Sequence, residues 1–362
     1  MRFAKNRTGF SASSALVAAR VAALVAALVA AIACGPALSA PVARADDSPA
    51  VRAPAPAESA STSSATPAPL RIAVIGASAS AGFGCVLREA RDDGNYAGSF
   101  RLIEMVRLAC PELELVTSDL SSGFFFLAPV KNGAKAARRA SEFAPDCVLA
   151  LDFLFWYGYG DDDADGKPIS GEDARVAKFE RGLDELSRFE VPVLVGDMPD
   201  MSPAVGKMLS RRQMPAAETL AKLNARLAEW AAKRPNVRLV PLARMQAQLM
   251  RERALEVGGA RLESTPERPL LQKDELHPAP YGMAGLACEV AAQLKSAVAM
   301  RASEAAQKAA SDDACEPEPI STYERARGEL KPSGRAPEPQ EVPAKGAAKD
   351  GAKGAGTSPA KN

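Results

Sequence analysis

The sequence predicts an α/β domain: a parallel sheet of five strands, covered by helices on both faces. Three observations carry this. Short apolar runs alternate, across residues 70–300, with longer stretches whose apolar residues recur at helical spacing. Strands alternating with helices form βαβ units, and their crossovers make the strands parallel and clothe both faces of the sheet. Apolar residues make up 47% of the 362-residue chain, enough for a sizeable core. The length in excess of one domain of about 100–200 residues lies in the two ends.

The elements follow in order. Residues 70–75 form a short apolar run that stops at Gly76 and read as a buried strand. A helical stretch is expected over 85–110, then a second strand over 113–120. A helix over 134–143 leads to a third strand at 147–151. Residues 172–189 carry Val176, Phe179, Leu183 and Leu186 at helical spacing, and 191–195 is a fourth strand with Pro192 near its start, where proline is tolerated. Leu220, Leu223, Leu227 and Trp230 share one face of a helix over 216–233. A fifth strand at 237–240 and helices over 243–257 and 280–300 complete the series. No internal repeat is found.

The ends differ from this domain, which is expected over 69–302. Arg2, Lys5 and Arg7 precede an Ala/Val/Leu run whose uninterrupted part, 21–33, is shorter than an ordinary membrane span of about 20 residues. Residues 1–45 therefore read as an export signal, with Ala43-Arg44-Ala45 as the preferred cleavage site. A second ending, Ala31-Ile32-Ala33-Cys34, has lipobox form with Ala where Leu is usual, and would attach lipid at Cys34; an uncleaved anchor is the third. A periplasmic or extracellular location follows, with membrane attachment, if any, through the N-terminus. Residues 46–68 are rich in Pro, Ala, Ser and Thr and read as a disordered linker. Residues 303–362 read as a low-complexity, largely disordered tail.

Composition excludes several functions. Lys plus Arg number 45 against 44 Asp plus Glu, which gives no electrostatic basis for nucleic-acid binding. His277 is the one histidine, so a multi-histidine metal site is excluded, and histidine acid–base chemistry falls to that residue alone. None of the six cysteines forms a C-x-x-C pair. Cys85, Cys110, Cys147 and Cys288 fall on expected buried elements and read as small packing residues, with any disulfide pairing left open.

Chemistry is expected just beyond the carboxyl ends of the strands. After the first strand comes Gly76-Ala77-Ser78-Ala79-Ser80-Ala81-Gly82, whose small residues allow a sharp turn that exposes Ser78. A helix N-terminus following it would aim N–H groups at developing negative charge. Near the end stands Lys273-Asp274-Glu275-Leu276-His277-Pro278. On a turn, a carboxylate three residues before the histidine reaches its Nδ1–H, which fixes the tautomer and leaves Nε2 to face a nucleophile.

Together the two segments carry a resemblance. Ile75-Gly76-Ala77-Ser78-Ala79-Ser80-Ala81-Gly82 resembles the GDSL-like first block of SGNH hydrolases, with Ala77 where Asp is usual. Asp274-Glu275-Leu276-His277-Pro278 followed by Gly282 is similar to that family's D-x-x-H-P last block. The resemblance covers about residues 70–298. It implies a three-layer α/β/α flavodoxin-like sandwich and metal-free, cofactor-free hydrolysis of carboxylic esters. Ser78 would be the nucleophile, His277 the base, and Asp274 the group orienting His277. The oxyanion hole would use the Ser78 N–H with Gly123 or Gly133. The family's third block, G-x-N-D, has no counterpart in Leu151-Asp152-Phe153-Leu154, so its oxyanion Asn is absent.

The implied substrate is a small ester or an acylated glycan. Glycan O-acetyl esterase or O-acetyltransferase activity is a related reading, and a non-catalytic binding domain on the same fold is the alternative from another class. The aromatic run 153–159 reads either as core or as the lining of an acyl pocket. Asp161, Asp163, Asp165 and Glu172 have the spacing of a calcium loop, D-x-D-x-D-G-x₅-E; the bland alternative is a solvated acidic loop.

Overall fold

The computed structural model describes residues 68–299 and 316–333. Strand β1 (Leu70–Val74) is followed by a hairpin, β2 (Val86–Arg91) and β3 (Gly94–Ser99), and then α1 (Leu102–Ala109). Next come β4 (Leu115–Asp119), α2 (Pro129–Glu142), β5 (Cys147–Ala150), the short α3 (Phe155–Gly158) and α4 (Glu172–Leu186). The chain continues through β6 (Val193–Gly196), α5 (Ala217–Ala232), β7 (Val237–Val240) and α6 (Leu242–Glu252). A second hairpin, β8 (Ala254–Val257) and β9 (Ala260–Glu263), precedes α7 (Pro280–Ala299), α8 (Pro319–Gly328) and β10 (Lys331–Pro332).

The five expected strands form one parallel sheet in the order β4-β1-β5-β6-β7. Side chains alternate along each strand, so Ile72 and Val74 face one layer while Ala73 and Ile75 face the other. The first layer holds α1, α6, α7 and α8, and the second holds α2, α4 and α5. The result is the expected three-layer α/β/α sandwich. Strand order reverses at β1, whose neighbours β4 and β5 lie on opposite sides. Such a switch point opens a crevice at the carboxyl ends of β1 and β5.

Three expectations are corrected. Residues 85–110 are not one helix: β2 and β3 pair antiparallel, with Arg91 opposite Gly94 across the two-residue loop Asp92-Asp93, and only Leu102–Ala109 is helical. A short polar loop between alternating residues favours a hairpin over a helix of equal length. The helix expected over 243–257 ends at Glu252, and the chain reverses through Gly258-Gly259, both at positive φ (56° and 72°). Two consecutive left-handed residues make the tight turn whose twist matches a hairpin, and glycine takes that conformation at no steric cost. Last, residues 316–333 belong to the domain, not to a disordered tail. Thr322, Tyr323, Ala326 and Leu330 are buried; Tyr323 packs edge-on against Tyr281 (5.0 Å between rings), and β10 pairs with β3.

The expected export signal over 1–45, with Cys34, lies outside the described residues, as do the linker over 46–68 apart from Ala68 and the remainder of the tail. Among the described residues no helix is long and apolar enough to cross a membrane. Cys85, Cys110, Cys147 and Cys288 are buried and none joins a disulfide. Burial pushes the thiols of Cys85 and Cys110 up to about 12 and that of Cys288 to about 11, which keeps them protonated and inert.

Candidate active site

The segment after β1 does not enter a helix directly. It closes as a single turn, with Ala81 N–H donating to Ala77 O (3.0 Å), Gly82 N–H to Ala79 O (3.1 Å) and Phe83 N–H to Ser78 O (2.9 Å). The N–H groups that a helix N-terminus was expected to supply are instead arranged by a carboxylate. Asp152, just past β5 and only 9% exposed, accepts the N–H of Ala77 (2.9 Å), Ala79 (2.8 Å) and Ser80 (3.1 Å) and the Ser80 hydroxyl (2.6 Å). The Ser78 N–H donates to no group among the described residues. Asp152 is thus the acceptor that shapes the turn carrying Ser78. Gly76 permits this close approach: a Cβ there would stand 2.2 Å from Asp152 Oδ1.

The second half of the site is the turn before α7. Asp274 Oδ1 accepts the N–H groups of Leu276 and His277, both at 3.0 Å. Glu275, between Asp274 and Leu276, adopts left-handed φ (55°), rare for a residue with a side chain, and pairs with Lys207 at 2.8 Å. Gln272 ties this turn to the first, its Nε2 donating to Phe83 O (2.7 Å) and Pro278 O (3.0 Å). His277 is 3% exposed, and the Phe83 ring lies 4.8 Å from its imidazole.

These two turns bring Ser78, His277 and Asp274 together. Ser78 Oγ lies 2.8 Å from His277 Nε2, and His277 Nδ1 lies 2.8 Å from Asp274 Oδ2. Burial alone would raise the Asp274 carboxyl. Hydrogen bonds from the His277 ring, the His277 N–H and the Leu276 N–H outweigh it and hold the carboxyl below the usual carboxylate range. Asp274 is therefore an anion wherever a neutral imidazole is useful. With Asp274 holding the Nδ1 proton, Nε2 is free to accept the Ser78 proton.

The two oxyanion candidates separate. Gly133 lies inside α2, buried against the core residues Tyr157 and Phe153. Gly123 lies in the loop after β4, beside Phe83, and its neighbour Ser122 donates to Gly76 O at 3.1 Å. That loop is locked by Arg101, whose guanidinium pairs with Asp119 and donates to Ser121 O (3.1 Å) and Ser121 Oγ (3.0 Å). The Gly123 N–H, like that of Ser78, has no acceptor among the described residues. The calcium-loop residues Asp161, Asp163, Asp165 and Glu172 do not converge. Asp163 Oδ1 accepts the N–H groups of Asp165 and Lys167 (2.9 Å each), Asp165 pairs with Lys167, and Glu172 accepts the Ala216 N–H (3.0 Å). Among the described residues no three metal-ligating side chains cluster.

A cavity of about 140 Å³ opens at Ser78 and His277 and runs between the β6 end, α6 and the start of α7. Leu151, Phe155, Met198, Met245, Leu255 and Leu286 are among the residues of its apolar wall. Of the aromatic run only Phe155 lines it; Phe153, Tyr157 and Tyr159 are core. The roles of three polar residues escaped the sequence analysis. Arg101, Asp152 and Gln272 act through partners distant in sequence, and the only available signal was the position of Asp152 just after a strand.

Compared with known proteins, the sequence matches no family model, and no curated protein matches it. Similarity to solved structures is partial. A gut microbial diltiazem-metabolizing enzyme is 13% identical over 60% of this chain, with TM-score 0.39; this chain spans 45% of its length. The psychrotrophic esterase EstA from a Pseudoalteromonas species is 10% identical over 63% of this chain and 98% of its own, with TM-score 0.37. A GDSL-like lipase from Bacteroides thetaiotaomicron is 14% identical over 64% and 89%, with TM-score 0.38. At these scores the chemistry rests on the geometry of the site itself.

Proposed function

We propose that this protein is an exported serine ester hydrolase of the SGNH type, acting on acyl or acetyl esters. One observation carries the reading: an unbroken chain of two 2.8 Å contacts, Ser78 Oγ to His277 Nε2 and His277 Nδ1 to Asp274 Oδ2, drawn from segments 199 residues apart. In the proposed cycle Ser78 Oγ attacks the ester carbonyl carbon while His277 Nε2 takes its proton. The carbonyl oxygen becomes an oxyanion, held by the N–H groups of Ser78 and Gly123. His277 returns the proton to the departing alcohol, leaving an acyl group on Ser78. Water, deprotonated by His277, then attacks that acyl carbon, and release of the acid restores Ser78. No step calls on a metal or cofactor.

The test is hydrolysis of short-chain p-nitrophenyl esters by the full chain, with Ser78→Ala and His277→Ala alongside, and fluorophosphonate labelling of Ser78. Turnover and labelling in the parent, lost in both variants, are the expected results. One observation favours a binding domain that kept the fold: the segment after β5, residues 151–158, carries no Asn to join the two N–H donors, and loss of one oxyanion donor commonly costs about 10²–10³ in rate. A parent chain that neither hydrolyses esters nor labels would establish that reading.

A further inference from the structure

Most polar groups in the cavity beside Ser78 are already bonded. Asp152 is taken by the nucleophile turn, and Asp197 accepts the Ala243 N–H at 2.6 Å, where it caps the first turn of α6. Gln246, one turn further along α6, is the exception. It lines the cavity, is 9% exposed, and its Nε2 is buried with no hydrogen-bond partner. Its Oε1 also has no partner among the described residues. Nε2 alone is sealed without a partner, and an apolar ligand covering Oε1 would leave that acceptor unpaired too, whereas a ligand hydroxyl that bonds to Oε1 avoids that cost. Its neighbours on the wall, Met245, Leu249 and Leu255, offer no alternative donor or acceptor.

We infer that Gln246 selects ester substrates whose acyl chain carries a hydroxyl group. Nε2 is sealed from solvent, so the contact falls to Oε1, which accepts a hydrogen bond from a ligand hydroxyl. The volume sets the chain length: about 140 Å³ is close to the roughly 150 Å³ that holds six carbons as benzene. The substrate class is thus a hydroxyacyl ester of about six carbons, seated with its carbonyl at Ser78 and its hydroxyl at Gln246. An acetyl group is too short to leave the mouth of the cavity and gains nothing from Gln246.

This inference rests on the ester-hydrolase reading, and its test separates the two. Methyl hexanoate and its 3-, 5- and 6-hydroxy derivatives are compared with methyl acetate, following acid release by the full chain and by Gln246→Leu. At least one hydroxy ester is expected to exceed hexanoate about tenfold or more in kcat/KM. In Gln246→Leu that order is expected to reverse. Preference for plain hexanoate over every hydroxy isomer, or an unchanged order in Gln246→Leu, overturns the inference while leaving the hydrolase reading in place. Calorimetric binding of the same esters to Ser78→Ala, with and without Gln246→Leu, tests the pocket without turnover. Hydroxy and plain esters binding alike there also overturns it, whether or not the parent is an enzyme.

Discussion

Asp152→Ala is the sharpest perturbation of the site, because one carboxylate holds four donors of the turn that carries Ser78. Hydrogen bonds to a charged group contribute about 1.5–3 kcal/mol each, so four give a ceiling of roughly 6–12 kcal/mol. The realised loss is smaller, since water from the adjoining cavity refills part of the vacated space and Ser80 Oγ can turn. A net loss of about 3–5 kcal/mol is expected, at the far end of single substitutions and a large share of a domain stability of about 5–15 kcal/mol. The catalytic consequence is separate. Ala77 and Ala79 flank the Ser78 N–H, so releasing them misdirects a proposed oxyanion donor, and hydrolysis is expected to fall about 10²–10³-fold. Asp152→Asn is the companion variant. It keeps the volume and one acceptor oxygen but turns an NH₂ toward N–H groups, so it should lie between parent and Ala. Urea unfolding measures the first quantity and the rate of fluorophosphonate labelling of Ser78 the second. Stability within about 0.5 kcal/mol of the parent with an unchanged labelling rate would refute the assignment of Asp152 as organiser of the turn.

Further consequences can be checked independently. Gly76→Ala places a Cβ 2.2 Å from Asp152 Oδ1, so it should reproduce much of the Asp152→Ala phenotype by pushing the carboxylate away; normal labelling in Gly76→Ala would contradict the close approach. Asp274→Asn should lower turnover on the order of 10⁴-fold, because the imidazole loses the anion that holds its Nδ1 proton. Because the Asp274 pKa is depressed in the fold, its carboxylate stabilises the protein above the ordinary Asp value of about 3.9, and that contribution disappears as pH falls through the depressed value. The gap in Tm between parent and Asp274→Asn should therefore be full at pH 7 and close in strong acid; a gap independent of pH would show that Asp274 is not a paired carboxylate. Tyr323→Ala removes a buried ring packed on Tyr281 and should cost about 3 kcal/mol in urea unfolding, whereas a loss below about 1 kcal/mol would mean that α8 is not integral to the domain.

The main sheet was legible in the sequence because buried parallel strands need continuous apolar runs, and 70–75, 147–151 and 191–195 have no other stable use. The excursions were less legible. The segment over 85–110 contains residues compatible with either a helix or a hairpin, and the choice falls to the pairing of β3 with β2 and β10. Residues 316–333 look polar and low in complexity, yet Thr322, Tyr323 and Ala326 recur at helical spacing and find a ready surface on α1 and α7. That surface is a property of the folded domain and has no signature within the segment.

The site divides in the same way. Ser78, Asp274 and His277 could be named from sequence because each lies in a short motif whose local geometry, a small-residue turn or a carboxylate three residues before a histidine, is set by neighbours in the chain. Asp152, Arg101, Gln272 and Gln246 could not, because each acts on a segment that the chain reaches only after folding: Asp152 on residues 77–80, Arg101 on the loop that holds Gly123, Gln272 on Phe83, and Gln246 on a cavity that exists only once α6, β8 and α7 have packed. Local sequence determined which atoms carry the proposed chemistry. Tertiary structure decided how they are held and what space lies beside them, because hydrogen bonds and cavities between distant segments depend on packing in three dimensions.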